Sequence, residues 1–493
     1  MPDSATSDSF YSAKIEEKTH IPPKKCAKSL DIPQEKCIFA AIIPQEKCYN
    51  MKRLLYNSLK VWKINPNRKP LILEGARQVG KTWLLKEFGR NEFENMVYVN
   101  CADEPFAQAL FMPDLKPKRI VRDIMANTGQ DITPGKTLIV FDEIQETPRG
   151  INSLKFFCED MPEQHVAVAG SLLGVIHHLG ESYPVGKVDL MRLYPMTFEE
   201  FLWASGREKL ADVIMNCEWN SVFALHNSLE DLLRQYYYVG GMPEAVLSWT
   251  TRERPSEIRD IQTTILASYA NDISKHAGAE AERIRMVWNS IPSQLARENK
   301  KFIYGAVKKG GRAKDYEVAI QWLVDAGLVY KIHRSKKPQM PLKFYEDFDS
   351  FKLYLLDVGL LGALSEASPG LMLTSNDVFH EFKGAFTENY VLEEIVPLKN
   401  QPVYYFSKEN STLEVDFLVQ TYSRLIPIEV KAEDNVKSKS LKQFITVDHA
   451  DKNLKGLRCS MQQYVDQGWM ENIPLYSIRG YMIQQLKKEK YNP

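Results

Sequence analysis

Apolar positions change their period several times along this chain, and each change marks an element. Residues 70–75 (PLILEG) are an apolar run ending in glycine and predict a short strand buried on both faces. WLLKEFG follows at helical spacing. LIVF (138–141) and HVAVAG (165–170) predict two more buried strands, which end at Asp142-Glu143 and at Ser171. From 196 to 275 helical-period stretches (FEEFLWA, LEDLLRQYYYV, AVLSWT) are broken by Gly240-Gly241-Met242-Pro243, either a plain helix terminator or the turn of a lid. From 281 to 358 the order is a helix (RIRMVWNSIPSQLA), a basic turn, a helix (YEVAIQWLVDAG) and two strand-like runs (LVYKIHR, FKLYLLD). That is the order of a winged helix. LEVDFLV (413–419) and LIPIEVKA (425–432) predict a hairpin in which Val415 faces Val430, Phe417 faces Ile428 and Val419 faces Ile426. A one-residue slip would set charges against this apolar face.

The first fifty residues have another texture. IPPKKC (21–26) is followed by IPQEKC at 32–37 and again at 43–48, carrying Cys26, Cys37 and Cys48 at an eleven-residue period. Proline in each unit breaks a helix, and no His or CxxC accompanies the cysteines. A disordered leader is expected, with a translated repetitive element ahead of a start at Met51 as one origin left open; helical spacing begins at Met51 (MKRLLYNSLKVWKI).

Composition narrows the class. A chain of 493 residues, 44% hydrophobic and 26% charged, is too apolar for a disordered protein and long enough for several domains. The 63 Lys+Arg balance 63 Asp+Glu, so a nucleic-acid surface has to be a local patch. No apolar run reaches the ~18 residues of a membrane span, and no secretory h-region is present. A cytoplasmic protein with no membrane contact is expected.

Candidate chemistry begins at Gly75-Ala76-Arg77-Gln78-Val79-Gly80-Lys81-Thr82, a GxxxxGK[ST] string between a strand and a helix. Such a loop turns backbone N–H groups onto phosphates and adds a helix N-terminus. The assignment is ATP on residues 75–82, with Lys81 on the β/γ-phosphates and Mg²⁺ on Thr82 and Asp142. Glu143 takes the proton of the attacking water and Ser171 senses the γ-phosphate.

RKPLILEGARQVGKTWLL, LIVFDEIQE, VAVAGSLLG and LYPMTFEEFL resemble the AAA+-type ATPases that carry a C-terminal DUF4143 region. The resemblance implies an α/β fold: an ASCE-type P-loop core (51–195), a helical lid (196–275), a winged helix (276–365) and a nuclease-like α/β domain (366–493). Where relatives show a Gly-Arg pair that would serve as an arginine finger, Gly186 is followed by Lys187. Either Lys187 or Arg192, five residues on, takes that role, or Lys187 is an ordinary surface lysine and hydrolysis is slow. A finger acting in trans implies a homo-oligomer.

Two further groups point to nucleic acid. Lys300, Lys301, Lys308, Lys309, Arg312 and Lys314 precede the second helix of the winged-helix order, and Arg334, Lys336 and Lys337 fall at the wing tip. They make a DNA footprint or a solvated loop surface. In the hairpin register Asp416 lies opposite Glu429 and Glu414 opposite Lys431. Asp416, Glu429 and Lys431 resemble the PD-(D/E)xK nuclease core, with Glu388 as a further carboxylate and Mg²⁺ or Mn²⁺ as the metal. The same residues also suit an amphipathic hairpin, or a nuclease fold that no longer cuts. The expected function is a Mg²⁺-dependent ATPase that controls a DNA-engaging C-terminal half and, if those carboxylates hold a metal, cuts DNA. A signalling or scaffold ATPase whose C-terminal domains bind a protein partner is the alternative.

Overall fold

The computed structural model describes residues 51–171, 184, 186–373, 380–398, 401–409, 411–432, 437–452 and 454–491. The repeats at 21–48 lie outside the described residues.

The three apolar runs become β1 (Leu71–Glu74), β3 (Thr137–Asp142) and β4 (His165–Ala169), joined by β2 (Asn95–Asn100) and β5 (Asp189–Arg192). All pair in parallel, in the order β2-β3-β4-β1-β5. The central β3 and β4 are buried along their whole length, which explains their unbroken hydrophobicity. Side chains alternate between two cores. Ile72, Ile139, Phe141, Val166 and Val168 pack on one face. Leu71, Leu73, Leu138, Val140, Ala167 and Ala169 pack on the other, within the large core that also takes in the C-terminal helices.

After β5 the chain is helical. Thr197 and Glu200 close a capping box at the head of the Phe198–Ala204 helix. The Gly-Gly-Met-Pro turn separates the His226–Val239 and Pro243–Arg252 helices, and the long Pro255–His276 helix follows. Gly241 is required by contact as well as by termination. A Cβ there would lie 2.1 Å from Met196 O, and its N–H donates to Asp357 Oδ2 at 2.6 Å.

Helices Ala281–Leu295, Tyr304–Val307 and Ala313–Asp325 then lead into β6 (Val329–Ser335) and β7 (Glu346–Leu355), an antiparallel pair. This hairpin does not stand apart. With β8 (Val403–Ser407), β9 (Glu414–Gln420), β10 (Leu425–Val430), β11 (Gly456–Ser460), β12 (Val465–Asp466) and β13 (Met470–Pro474) it builds one sheet ordered β12-β13-β11-β10-β9-β8-β6-β7. The join is parallel, Arg334 to Tyr405 and Ser335 to Phe406. The sheet therefore runs across residue 365, where two separate domains were expected. Between β9 and β10 the expected register is observed: Val419 faces Ile426 and Phe417 faces Ile428. Among the described residues no helix is long and apolar enough to cross a membrane.

Candidate functional site

The Gly75–Thr82 loop needs its glycines. Gly75 sits at φ +148°, and a Cβ there would lie 2.3 Å from Leu193 O. Gly80 (φ +93°) caps the Lys81–Glu92 helix, and a Cβ there would lie 3.5 Å from both Arg53 Nη1 and Pro243 Cγ. The Gly-Gly-Met-Pro turn thus packs on the loop. Lys81 Nζ donates to Gly75 O (2.9 Å) and Ala76 O (2.8 Å), and burial brings its pKa down to about 8.

The strand-end acids converge beside it. Thr82 Oγ1 donates to Asp142 Oδ2 at 2.6 Å, and Tyr98 OH donates to the same oxygen at 2.8 Å. Burial, then the Asp142 charge, holds the Tyr98 phenol far above its usual pKa. Glu143 follows Asp142 in the left-handed region (φ +49°) and accepts from Gln145 Nε2 and, at 3.5 Å, from Ser171 Oγ. A cavity of ≈ 810 Å³ opens here, lined by Thr82, Asp142, Glu143 and Ser171. The end of the Pro255–His276 helix forms part of its wall, through Asp272 and Lys275. Arg77 Nη1 bonds Asp272 Oδ1 at 2.6 Å, and Tyr269 OH donates to Arg77 O at 2.9 Å.

Sequence reasoning missed Arg53, Tyr98 and Asp272. Arg53 is buried, donates to Val79 O (2.7 Å) and Tyr194 O (2.6 Å), and pairs with Glu200 at 3.0 Å. Nothing in MKRLLY distinguishes it from a surface arginine. The two finger candidates are each held by an acid of their own chain, Lys187 by Glu159 (3.0 Å) and Arg192 by Glu74 (3.2 Å).

The C-terminal carboxylates behave differently from expectation. Glu388 Oε1 accepts from Lys300 Nζ (2.6 Å) and its Oε2 from Tyr354 OH (2.9 Å). Asp416 Oδ2 accepts from Val430 N at 2.8 Å, and burial followed by the Glu388 charge pushes its pKa up to about 7. Glu429 pairs with Lys431 at 3.0 Å, its other oxygen buried without a hydrogen bond. Glu414 takes Lys352 as its cation in place of Lys431. Among the described residues no three or more His, Cys, Asp or Glu are grouped to hold a metal. The residues present do not fit the Mg²⁺ or Mn²⁺ expected there, because Lys300, Lys352 and Lys431 each hold an oxygen of Glu388, Glu414 and Glu429. The basic footprint shrinks too. Lys300 points inward to Glu388, and Arg334 is bound by Asp347 (2.6 Å) and Glu409 (3.1 Å). Lys308, Lys309, Arg312, Lys314, Lys336 and Lys337 remain exposed.

A five-stranded parallel sheet ending at a phosphate-type loop, a Thr–Asp pair and a neighbouring glutamate is the arrangement of an AAA-type domain. Residues 67–202 match the family model for the AAA domain (AAA_14). Residues 230–371 match a domain of unknown function (DUF8612), and residues 383–478 another (DUF4143). No curated protein matches the chain. Similar solved structures include the Aeropyrum pernix ORC1 protein in complex with DNA, at 14% identity over 64% of this chain and 90% of that one (TM-score 0.25). CDC6P from Pyrobaculum aerophilum is similar at 11% identity over 66% and 94% (TM-score 0.24). Drosophila ORC bound to DNA is similar at 13% identity over 69% and 96% (TM-score 0.25).

Proposed function

We propose that this protein binds ATP with Mg²⁺ at the Gly75–Thr82 loop, hydrolyses it, and uses the nucleotide state to control a DNA-engaging C-terminal half. The observation that carries the reading is the convergence of Thr82, Asp142, Glu143 and Ser171 on one cavity at the ends of parallel strands. Bound Mg²⁺ would neutralise charge on the transferring phosphoryl group. Thr82 and Asp142, already joined through a hydrogen bond, are its holders. Lys81 exchanges its two carbonyl partners for β/γ-phosphate oxygens. Glu143, steadied by Gln145 and Ser171, takes a proton from water on the γ side. A homo-oligomer in which Lys187 or Arg192 reaches a neighbouring copy's phosphates would complete the site.

Control follows from Arg77. A γ-phosphate near the loop competes with Asp272 for the guanidinium, so nucleotide alters the hold on the Pro255–His276 helix. That helix leads directly into the helix–turn–helix and the β6–β7 ribbon, which we read as a winged helix. Its exposed cations between the helices and at the ribbon tip suit DNA phosphates.

The test is phosphate release and DNA binding by the full chain. Lys81→Ala should abolish hydrolysis; turnover unchanged in that variant would refute the ATPase. DNA affinity should fall steeply between 50 and 200 mM salt, roughly as the number of contacted phosphates dictates. Affinity flat with salt would favour the scaffold reading, in which this face binds a protein.

A further inference from the structure

A largely buried group of charges outside the nucleotide site lies where β7, β9 and the His380–Ile395 helix meet. Four acids (Glu388, Glu414, Asp416, Glu429) face three lysines (Lys300, Lys352, Lys431). Lys352 comes from β7 and is fully buried, bonded to Glu414 and 4.0 Å from Glu388 Oε2. Lys300 comes from the turn between the Ala281–Leu295 and Tyr304–Val307 helices and reaches Glu388 with little of its side chain exposed. We propose that Lys300 and Lys352 are the resident cations of this cluster, standing where a nuclease-like fold would hold a divalent metal, and that the site is a metal-free joint fastening the helix–turn–helix to the C-terminal sheet.

Three observations carry this. Both Glu388 oxygens already have donors, and Asp416 Oδ2 is spent on the Val430 amide. A Mg²⁺ ion would require those oxygens at about 2.1 Å in octahedral array, and would have to displace Lys300, the Tyr354 hydroxyl and the Val430 amide to reach them. Lys352 is fully buried on β7 between Glu414 and Glu388. Burial works against its charge, yet Glu414, Glu388 and Asp416 hold its pKa above the ordinary lysine value, so it remains a cation. The arrangement also explains why a basic turn that reads as a DNA contact sends its first lysine inward. The proposal stands apart from the ATPase reading, since none of these residues lines the nucleotide cavity.

Two measurements on the full chain decide it. Mn²⁺ titration without nucleotide, followed by electron paramagnetic resonance, should show no site that Asp416→Asn or Glu388→Gln removes. A Mn²⁺ site lost in either variant would overturn the proposal, as would Mn²⁺-dependent strand breaks lost in Asp416→Asn. Lys300→Met strands Glu388 as a half-compensated buried charge, so Tm should fall by about 5 °C or more. Adding Glu388→Gln should restore much of that fall. Independent effects of the two substitutions would reject the joint, and if Lys300→Met does not fold, the Mn²⁺ titration of the unaltered chain against Asp416→Asn and Glu388→Gln decides alone.

Discussion

Arg53 braces the nucleotide loop from outside the motif that names it. Its guanidinium ties Val79 O, Tyr194 O and Glu200 together in a buried spot. Arg53→Ala would leave Glu200 buried without its cation, a change that typically costs about 3–5 kcal/mol. Thermal melts should show that loss, and ATP-induced stabilisation should weaken with it. Glu143→Gln should act oppositely, keeping nucleotide binding while single-turnover hydrolysis falls about 10²–10⁴-fold. That Lys81, Thr82, Asp142 and Glu143 gather at strand ends was legible in the sequence, because their spacing from two apolar runs places them there. Arg53 was not, since its acid partner lies 147 residues away and one arginine in a Lys-Arg pair does not announce burial.

Among the elements, strands buried on both faces were the most readable, because runs of four to six largely apolar residues bounded by glycine or acids are too short for a buried helix. The β9–β10 register was readable for the complementary reason, one apolar face opposite charges. The short β5 and the amphipathic β2 carried neither signal. The joining of β6 to β8 was hidden too, since two ladder positions link strands far apart in sequence. Helix-ending glycines were visible, but not the contact that requires one of them. Gly241→Ala drives a methyl into Met196 O and is expected to lower Tm sharply, with loss of ATP binding because Pro243 rests on the loop. Gly305→Ala, in open space on the same scaffold, is the neutral control.

For the whole molecule, the region matching the AAA domain and the C-terminal helices share buried acids. Glu394 accepts from Phe198 N at 2.7 Å, and Glu199 lies 3.5 Å from Arg479 Nε, with Glu200 nearby. Burial raises both Glu199 and Glu394 to about 7, from an unfolded value near 4.5. Between those values the folded chain holds protons that the unfolded chain has released. Their contribution to stability is therefore full below about pH 4.5 and is lost as pH rises towards 7. Glu394→Gln keeps an acceptor for Phe198 and removes that titration. Its unfolding free energy should decline less than wild type's between pH 5 and 8, by up to about 3 kcal/mol, as denaturant melts at each pH would show. Equal slopes would exclude Glu394 as the source.

The seam between β6 and β8 bears on how this chain can be divided. One family match ends at residue 371 and the next begins at 383, an inviting place to cut. Severing the backbone there would bare an unpaired strand edge on each fragment, which invites aggregation. Fragments 51–371 and 383–491 are accordingly expected to be insoluble when produced singly and to copurify when made together. Inheritance and folding thus partition this polypeptide differently: what sequence families treat as two units, the ribosome must finish as one.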